Sequence, residues 1–129
     1  MLVLDASAAV DLLVQTRRGQ LVAQHLRGQD VTAPDLLDVE VCSAVARLER
    51  AGDLVQRDAD SAIRRLSTMP VRRLPCVQLL PTAWRLRDRV RVADAFYVAC
   101  ASITGGVLLT CDARLAAAPL PGLSITLVR

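Results

Sequence analysis

"MLVLDASAAVDLLV" (residues 1–14) decides the fold, because it predicts a short buried strand that leads directly into a helix. Leu2–Leu4 is the apolar run, and the segment from about Ala6 to Val14 has the composition of a helix. Asp5 lies at the junction, where aspartate is a favoured helix N-cap. Asp5 is therefore either a simple cap or a carboxylate that supplies negative charge at the end of a buried strand.

The rest of the chain repeats this alternation of short strands and helices. Further strands are predicted at about 31–33, 71–75, 107–110 and 123–128, and helices at about 19–26, 35–51, 57–69, 81–90, 94–104 and 111–118. The segment "WRLRDRVRV" (84–92) alternates with period two and is open to a strand, although Pro81 and Thr82 favour a helix. The pattern predicts one α/β domain, residues 1–129, with a mainly parallel sheet.

Composition limits the class of protein. The chain is 53% hydrophobic but 2% aromatic, so the core is expected to consist of Leu, Val and Ala. A mean hydropathy of +0.35 indicates more apolar surface than one core hides, which favours a dimer or a bound partner. Asp94 interrupts the longest apolar region and Asp5 the first, so we expect neither a membrane span nor a signal peptide, and a cytoplasmic location.

The charged and sulfur-containing residues exclude several functions. All sixteen basic residues are arginine, which excludes mechanisms that require lysine, such as Walker A nucleotide binding, Schiff-base chemistry and receiver-domain phosphorylation. Arginine suits phosphate recognition, but also plain solubility. The four cysteines (42, 76, 100 and 111) are isolated and His25 is the one histidine, so we expect reduced, buried thiols rather than disulfides or a zinc site.

Three aspartates share one local pattern. Asp5 and Asp112 follow predicted strands, Asp94 begins the most apolar helix, and each is followed by alanine. Each one alone is explained as a helix N-cap. In open parallel sheets, however, functional groups collect at the carboxyl ends of the strands.

Glu40 has no such simple explanation, because it lies inside a predicted helix and needs no capping role. It sits at the margin of the apolar stripe formed by Leu37, Val41 and Val45. One interpretation is a partly exposed glutamate paired with Arg47 or another arginine. The other is a fourth carboxylate of a shared acidic site.

Four carboxylates in one place would raise one another's pKa and oppose folding, and a divalent cation resolves this cost. Oxygen ligands without His or Cys select Mg²⁺ or Mn²⁺, which can activate water for attack on a phosphodiester. The remaining chain carries sixteen arginines against nine acids, a net charge of +7 around an acidic notch. This arrangement suits a nucleic-acid substrate.

Four segments resemble the acidic motifs of PIN domains, and most closely those of VapC-type ribonuclease toxins. They are "DASAAVDLL" (5–13), "DVEVCSAVARL" (38–48), "ADAFYVACA" (93–101) and "LLTCDARLA" (108–116). The resemblance implies a central parallel sheet of order 3-2-1-4-5 and a Mg²⁺- or Mn²⁺-dependent endoribonuclease. Its catalytic, metal-binding acids would be Asp5, Glu40, Asp94 and Asp112, with Ser7 and Thr110 as supporting hydroxyls.

The same resemblance implies partners: an RNA substrate such as tRNA or rRNA, a second copy of the chain, and a VapB-like antitoxin whose C-terminal segment fills the active-site groove. Arg17, Arg18, Arg87 and Arg91 are candidates for RNA contact. A haloacid-dehalogenase-type phosphatase is disfavoured, since Ser7 replaces its second acid and it needs a lysine; an α/β-hydrolase lacks its GxSxG motif. The alternative kept open is a catalytically silent module that binds RNA or an antitoxin.

Overall fold

The computed structural model describes all residues from Met1 to Arg129. Its centre is a five-stranded parallel sheet of order β3-β2-β1-β4-β5, surrounded by seven helices. The elements in chain order are β1 (Leu2–Leu4), α1 (Ala6–Val14), α2 (Arg17–Leu26), β2 (Val31–Pro34), α3 (Leu36–Arg50), α4 (Gln56–Thr68), β3 (Arg72–Leu74), α5 (Cys76–Arg85), α6 (Val92–Thr104), β4 (Val107–Thr110), α7 (Ala113–Ala116) and β5 (Ile125–Leu127). The predicted fold class and strand order are confirmed.

The opening strand occupies the middle of the sheet. β1 pairs with β2 on one side and with β4 on the other, where Leu4 is in register with Leu109. The chain therefore builds outward through β2 and β3 and then crosses to the other side of β1. The change of direction lies between β1 and β4, which is where open α/β sheets place their sites.

The core is aliphatic, as the composition predicts. Val3 and Leu4 of β1 and Leu108 and Leu109 of β4 are fully buried, and α6 packs across β1, β2 and β4. Tyr97 of α6 is the largest fully buried side chain. None of the helices has the length and apolar character needed to cross a membrane.

The close packing of α2 on α1 depends on Gly19. A Cβ atom at this position would lie 2.0 Å from the carbonyl oxygen of Asp11, so any larger residue would push the two helices apart. Thr16 caps α2 by accepting a hydrogen bond from the Gly19 N–H at 3.0 Å. This contact holds the end of α1 against the start of α2.

The sequence prediction was wrong for the segment around Pro81. The helix begins at Cys76, contains Pro81 and ends at Arg85. Residues 86–91 of "WRLRDRVRV" are therefore neither a strand nor a continuing helix. The Asp35 carboxylate accepts a hydrogen bond from the Cys76 N–H at 3.1 Å, so Asp35 stabilises the start of α5 and makes no capping bond to α3. Beyond α5, the Arg87 guanidinium donates to the Trp84 carbonyl at 2.8 Å and stacks on the Trp84 ring.

The cysteine prediction was correct for pairing and partly wrong for burial. All four cysteines are free thiols, but Cys42 is exposed and Cys76 is half-buried, whereas Cys100 and Cys111 are buried. Cys42 lies on α3 outside the buried stripe of Leu37, Val41 and Val45, which explains its exposure. His25 is exposed on α2, as expected for a residue on a helix surface.

Candidate active site

Asp5 is buried at the point where β1 and β4 end side by side. Its backbone N–H donates to the Leu109 carbonyl at 3.2 Å, and the residue is 4% exposed. One carboxylate oxygen, Oδ1, accepts hydrogen bonds from the Ser7 hydroxyl at 2.8 Å and from the Ala8 N–H at 3.0 Å. The other, Oδ2, accepts from the Thr110 hydroxyl at 2.6 Å. Asp5 thus caps α1, and both of its oxygens are fixed.

The two hydroxyls also connect Asp5 to Asp112. The Ser7 and Thr110 hydroxyl oxygens are 3.2 Å apart, and the Cys111 N–H donates to Ser7 Oγ at 3.0 Å. The Asp112 N–H donates to Thr110 Oγ1 at 2.9 Å. The end of β4 is therefore held against the start of α1 by neutral hydrogen bonds.

The surroundings of Asp5 disfavour a bare negative charge. Burial raises the pKa of Asp5 from 3.8 to about 6, against the lowering effect of the hydrogen bonds from Thr110, Ala8 and Ser7. The nearby charge of Asp94 contributes to this rise. A cation bound beside Asp5 would remove this penalty, because it would stabilise the ionised form.

Asp94 lies in the first turn of α6 and is bound by an arginine. The helix begins at Val92, two residues before the predicted start, so Asp94 is not its N-cap. Arg91 instead donates two hydrogen bonds to the Asp94 carboxylate, from Nε at 3.0 Å and from Nη2 at 3.2 Å. The Asp94 side chain is 14% exposed and that of Arg91 is 70% exposed.

Glu40 is half-buried on α3 and forms no ion pair, so the pairing with Arg47 that the sequence left open is absent. The buried hydroxyl of Tyr97, on α6, has no hydrogen-bond partner. Burial raises the pKa of Tyr97, and the neighbouring carboxylate of Glu40 raises it further. The sequence analysis missed Tyr97, although its position three residues after Asp94 places both on one face of α6.

Asp112 caps the short helix α7, as its aspartate pattern predicted. Its Oδ1 accepts hydrogen bonds from the Arg114 N–H at 2.9 Å and from the Leu115 N–H at 3.5 Å. The side chain is half-buried at the carboxyl end of β4, next to the Asp5 network.

Three of the four acids act on each of two neighbours, Arg91 and Tyr97, but the four do not form a closed ligand set. Asp94, Glu40 and Asp112 together raise the pKa of Arg91, and Asp5 and Asp94 join Glu40 in acting on Tyr97. As the side chains stand, no three Asp, Glu, His or Cys residues converge closely enough to hold a metal ion. Asp94 is directed to Arg91, so a metal would require it to exchange that partner.

The donor chemistry nevertheless fits a hard divalent cation. The four candidate ligands offer oxygen atoms only, the preference of Mg²⁺ and Mn²⁺. The buried Asp5 carboxylate lacks a positively charged partner, which a cation would supply. Asp94 contributes a charge that acts on Asp5.

A groove of about 750 Å³ opens beside these residues, between α1 and α3. Its lining includes Ser7, Glu40 and three arginines, namely Arg18, Arg47 and Arg91. It also includes Asp11, which the sequence analysis did not single out: this residue is 8% exposed, and it accepts from the Thr16 hydroxyl at 2.8 Å and pairs with Arg18 at 3.1 Å.

Comparisons with known proteins find relatives over most of the chain. The family model described as PIN domain matches residues 2–120. The chain is 45% identical to Ribonuclease VapC3 of Mycobacterium tuberculosis over 117 residues, which cover 90% of this chain and 85% of the relative. It is 41% identical to Ribonuclease VapC12 of the same organism, with 90% of each covered.

A solved structure has the same fold. The crystal structure of M. tuberculosis VapC20, described as a toxin that cleaves the sarcin-ricin loop, matches with a TM-score of 0.67 at 18% identity. The match covers 91% of this chain and 94% of VapC20. At this identity the likeness shows a shared fold.

Proposed function

Because the chain belongs to the PIN domain family and, within it, to the VapC ribonucleases, we propose that it is a Mg²⁺- or Mn²⁺-dependent endoribonuclease, the toxin of a VapBC-type pair. The observation that carries the proposal is the buried carboxylate of Asp5, fixed by neutral donors and placed within the field of Asp94. A carboxylate in such a position is better explained by cation binding than by helix capping alone, because a cap does not need burial.

We assign the metal to Asp5 and Asp94 directly, with Glu40 and Asp112 as further ligands, direct or through water. The ion would activate water and stabilise charge on the scissile phosphate. Ser7 and Thr110 donate to opposite oxygens of Asp5 and so keep the carboxylate in one orientation. Thr110 also accepts from the Asp112 N–H and holds that residue at the same edge of the sheet.

The groove is our proposed binding site for RNA. Arg18, Arg47 and Arg91 line it together with Glu40, and guanidinium groups bind phosphate through paired hydrogen bonds. Arg17 lies outside the groove lining, and Arg87 is engaged with Trp84, so we no longer expect either to contact RNA there. VapC20, which shares the fold, is described as cleaving the sarcin-ricin loop; for this chain we propose a structured substrate of the tRNA or rRNA class.

We further propose that the chain forms a homodimer and binds a VapB-like antitoxin, whose C-terminal segment occupies the groove. The exposed apolar side chains of Val77, Leu80 and Trp84 lie on one face of α5 and support a protein contact there. The four free thiols and the RNA substrate support a cytoplasmic location. The PIN domain should extend to residue 129, since β5 completes the sheet beyond the matched residues.

A cleavage assay tests the catalytic proposal. The purified chain is incubated with end-labelled tRNA and rRNA fragments in Mg²⁺, in Mn²⁺ and in EDTA. We expect cleavage only with a divalent ion, and its loss in Asp5→Asn and Asp94→Asn. Asp60→Asn serves as the matched control, since Asp60 is exposed on α4, away from the site.

The second candidate, a catalytically silent binding module, has a distinct signature in the same assay. It would bind RNA or the antitoxin without cleaving, and both site variants would bind as the wild type does. Equal cleavage by the wild type and both variants would instead show that the activity comes from other residues or from a contaminant.

A further inference from the structure

Arg91 is the one arginine that pairs with a member of the acidic quartet. Of the other two groove arginines, Arg18 pairs with Asp11, and Arg47 forms no ion pair. Arg91 lies immediately before α6, and its guanidinium makes two hydrogen bonds to Asp94 while lining the groove beside Ser7. It therefore occupies the Asp94 carboxylate, which a metal ion bound by Asp94 would need.

The pair is unequal in its freedom to move. The Asp94 side chain is 14% exposed and belongs to the first turn of the buried helix α6, whereas the Arg91 side chain is 70% exposed. Ion pairs with so exposed a partner are weak, because water competes for the charges. If the pair is broken, the Arg91 head group is the part that moves, and the groove and solvent are where it can go.

We propose that Arg91 is a phosphate-binding residue that Asp94 holds until a divalent cation takes that carboxylate, after which the guanidinium binds an RNA phosphate in the groove. The inference rests on the proposed ribonuclease function. A guanidinium can exchange a carboxylate for a phosphate without loss of geometry, since both accept its parallel N–H groups. Metal and RNA binding are then coupled, and each strengthens the other.

The coupling gives Arg91→Ala two effects of opposite sign. Without its arginine, Asp94 is free and Mn²⁺ binds more tightly, by roughly two- to fivefold, the range expected for breaking an exposed ion pair. RNA loses a phosphate contact, so KM rises by roughly fivefold while kcat changes less. A residue with only a structural role would not separate these two readouts.

The experiment titrates Mn²⁺ alone into the metal-free full chain by calorimetry and measures KM and kcat for a labelled RNA. Arg47→Ala is the matched control in the titration, because it removes the same charge from the same groove without breaking an ion pair. Thermal unfolding of each variant verifies folding. Tighter Mn²⁺ binding in Arg91→Ala but not in Arg47→Ala, together with the raised KM, supports the proposal.

Three results would overturn it. If the wild type binds Mn²⁺ and Arg91→Ala binds it equally or more weakly, Arg91 does not compete with the metal, although the ribonuclease proposal stands. If Arg47→Ala tightens Mn²⁺ binding as much, the effect is one of net charge. If the wild type neither binds Mn²⁺ nor cleaves RNA, the proposed function fails and the inference fails with it.

Discussion

Two regions of the molecule each hold a carboxylate that we propose as a metal ligand, and they hold it in opposite ways. At the seam of β1 and β4, Asp5 is 4% exposed and accepts three hydrogen bonds from neutral donors. At the first turn of α6, Asp94 is bound by one charged partner, the exposed side chain of Arg91. Neutral donors fix a carboxylate without cancelling its charge, whereas Arg91 cancels the charge without fixing it.

The difference indicates how an acidic site can exist in a folded chain without its metal. One ligand can be built into the sheet and the other kept neutralised by an exchangeable cation, which limits the repulsion between them. Asp5 then determines where the ion binds, and Asp94 completes the site when the ion arrives.

The largest expected contrast comes from lengthening each acid by one methylene. Asp5→Glu should reduce cleavage by roughly 1,000-fold, because its buried carboxylate is held on both oxygens and cannot shift without displacing Ser7 or Thr110. Asp94→Glu should cost only roughly tenfold, since its partner is mobile and can adjust. RNA cleavage rates at saturating Mn²⁺ measure both.

The comparison fails if the two glutamate variants lose the same activity. A larger loss of activity in Asp94→Glu than in Asp5→Glu would mean that Asp94, and not Asp5, is the rigidly held carboxylate. Thermal unfolding of both variants is the control, because overpacking at Asp5 also lowers stability.

The second contrast is a pH dependence of stability. Since burial raises the pKa of Asp5 from 3.8 to about 6, the folded chain binds more protons than the unfolded chain between these values. Its free energy of unfolding without metal should therefore fall as pH rises through this window, by roughly 3 kcal/mol in all. Urea unfolding in EDTA, with Asp5→Asn subtracted from wild type at several pH values, measures it.

Saturating Mn²⁺ should restore the lost stability above about pH 6, because the ion binds the ionised carboxylate. A wild-type curve parallel to that of Asp5→Asn across the window would show that Asp5 carries no such penalty.

The third contrast concerns the Thr110 hydroxyl, which contacts both Asp5 at the end of β1 and Asp112 beyond the end of β4. Thr110→Val keeps the shape of a fully buried side chain but removes the donor to Asp5 and the acceptor for the Asp112 N–H. We expect a loss of about 1–2 kcal/mol in the free energy of unfolding and roughly tenfold in cleavage. Thr126→Val makes the same substitution in the neighbouring strand β5 and should change neither strongly. Similar losses from both variants would mean that the sheet tolerates neither substitution, and that the hydrogen bonds of Thr110 have no special role.

The sequence predicts much of the fold because its strong signals are local. The apolar runs of β1 and β4 and the glycine after α6 define their elements without help from distant residues. The start of α5 is different: its first N–H is satisfied by Asp35, 41 residues earlier, a contact that no local pattern contains. Pro81 was therefore misread as a helix start rather than as a residue inside a helix.

The site residues also differ in whether local sequence patterns predict them. The positions of Asp5 and Asp112 follow from parallel strands ending at one edge, which sequence periodicity reveals. The Asp94 cap was wrong because α6 begins two residues early and Arg91 reaches the carboxylate. Asp11 and Tyr97 were missed because their burial depends on how α1 and α6 pack, which residue type alone does not show.

The smallest effect is expected from Tyr97→Phe, which tests whether α6 also supplies a neutral hydrogen-bond donor to the site. The Tyr97 hydroxyl is buried beside Glu40 without a well-formed hydrogen bond, so Tyr97→Phe removes at most a weak interaction from the metal-free chain. Its free energy of unfolding should stay the same or rise by up to about 1 kcal/mol. If the hydroxyl donates to Glu40 when that carboxylate turns to the ion, cleavage falls by roughly two- to fivefold and Mn²⁺ binding weakens with it. A stability loss without any change in Mn²⁺ affinity would limit Tyr97 to packing and leave Asp5 as the one acid held by neutral groups.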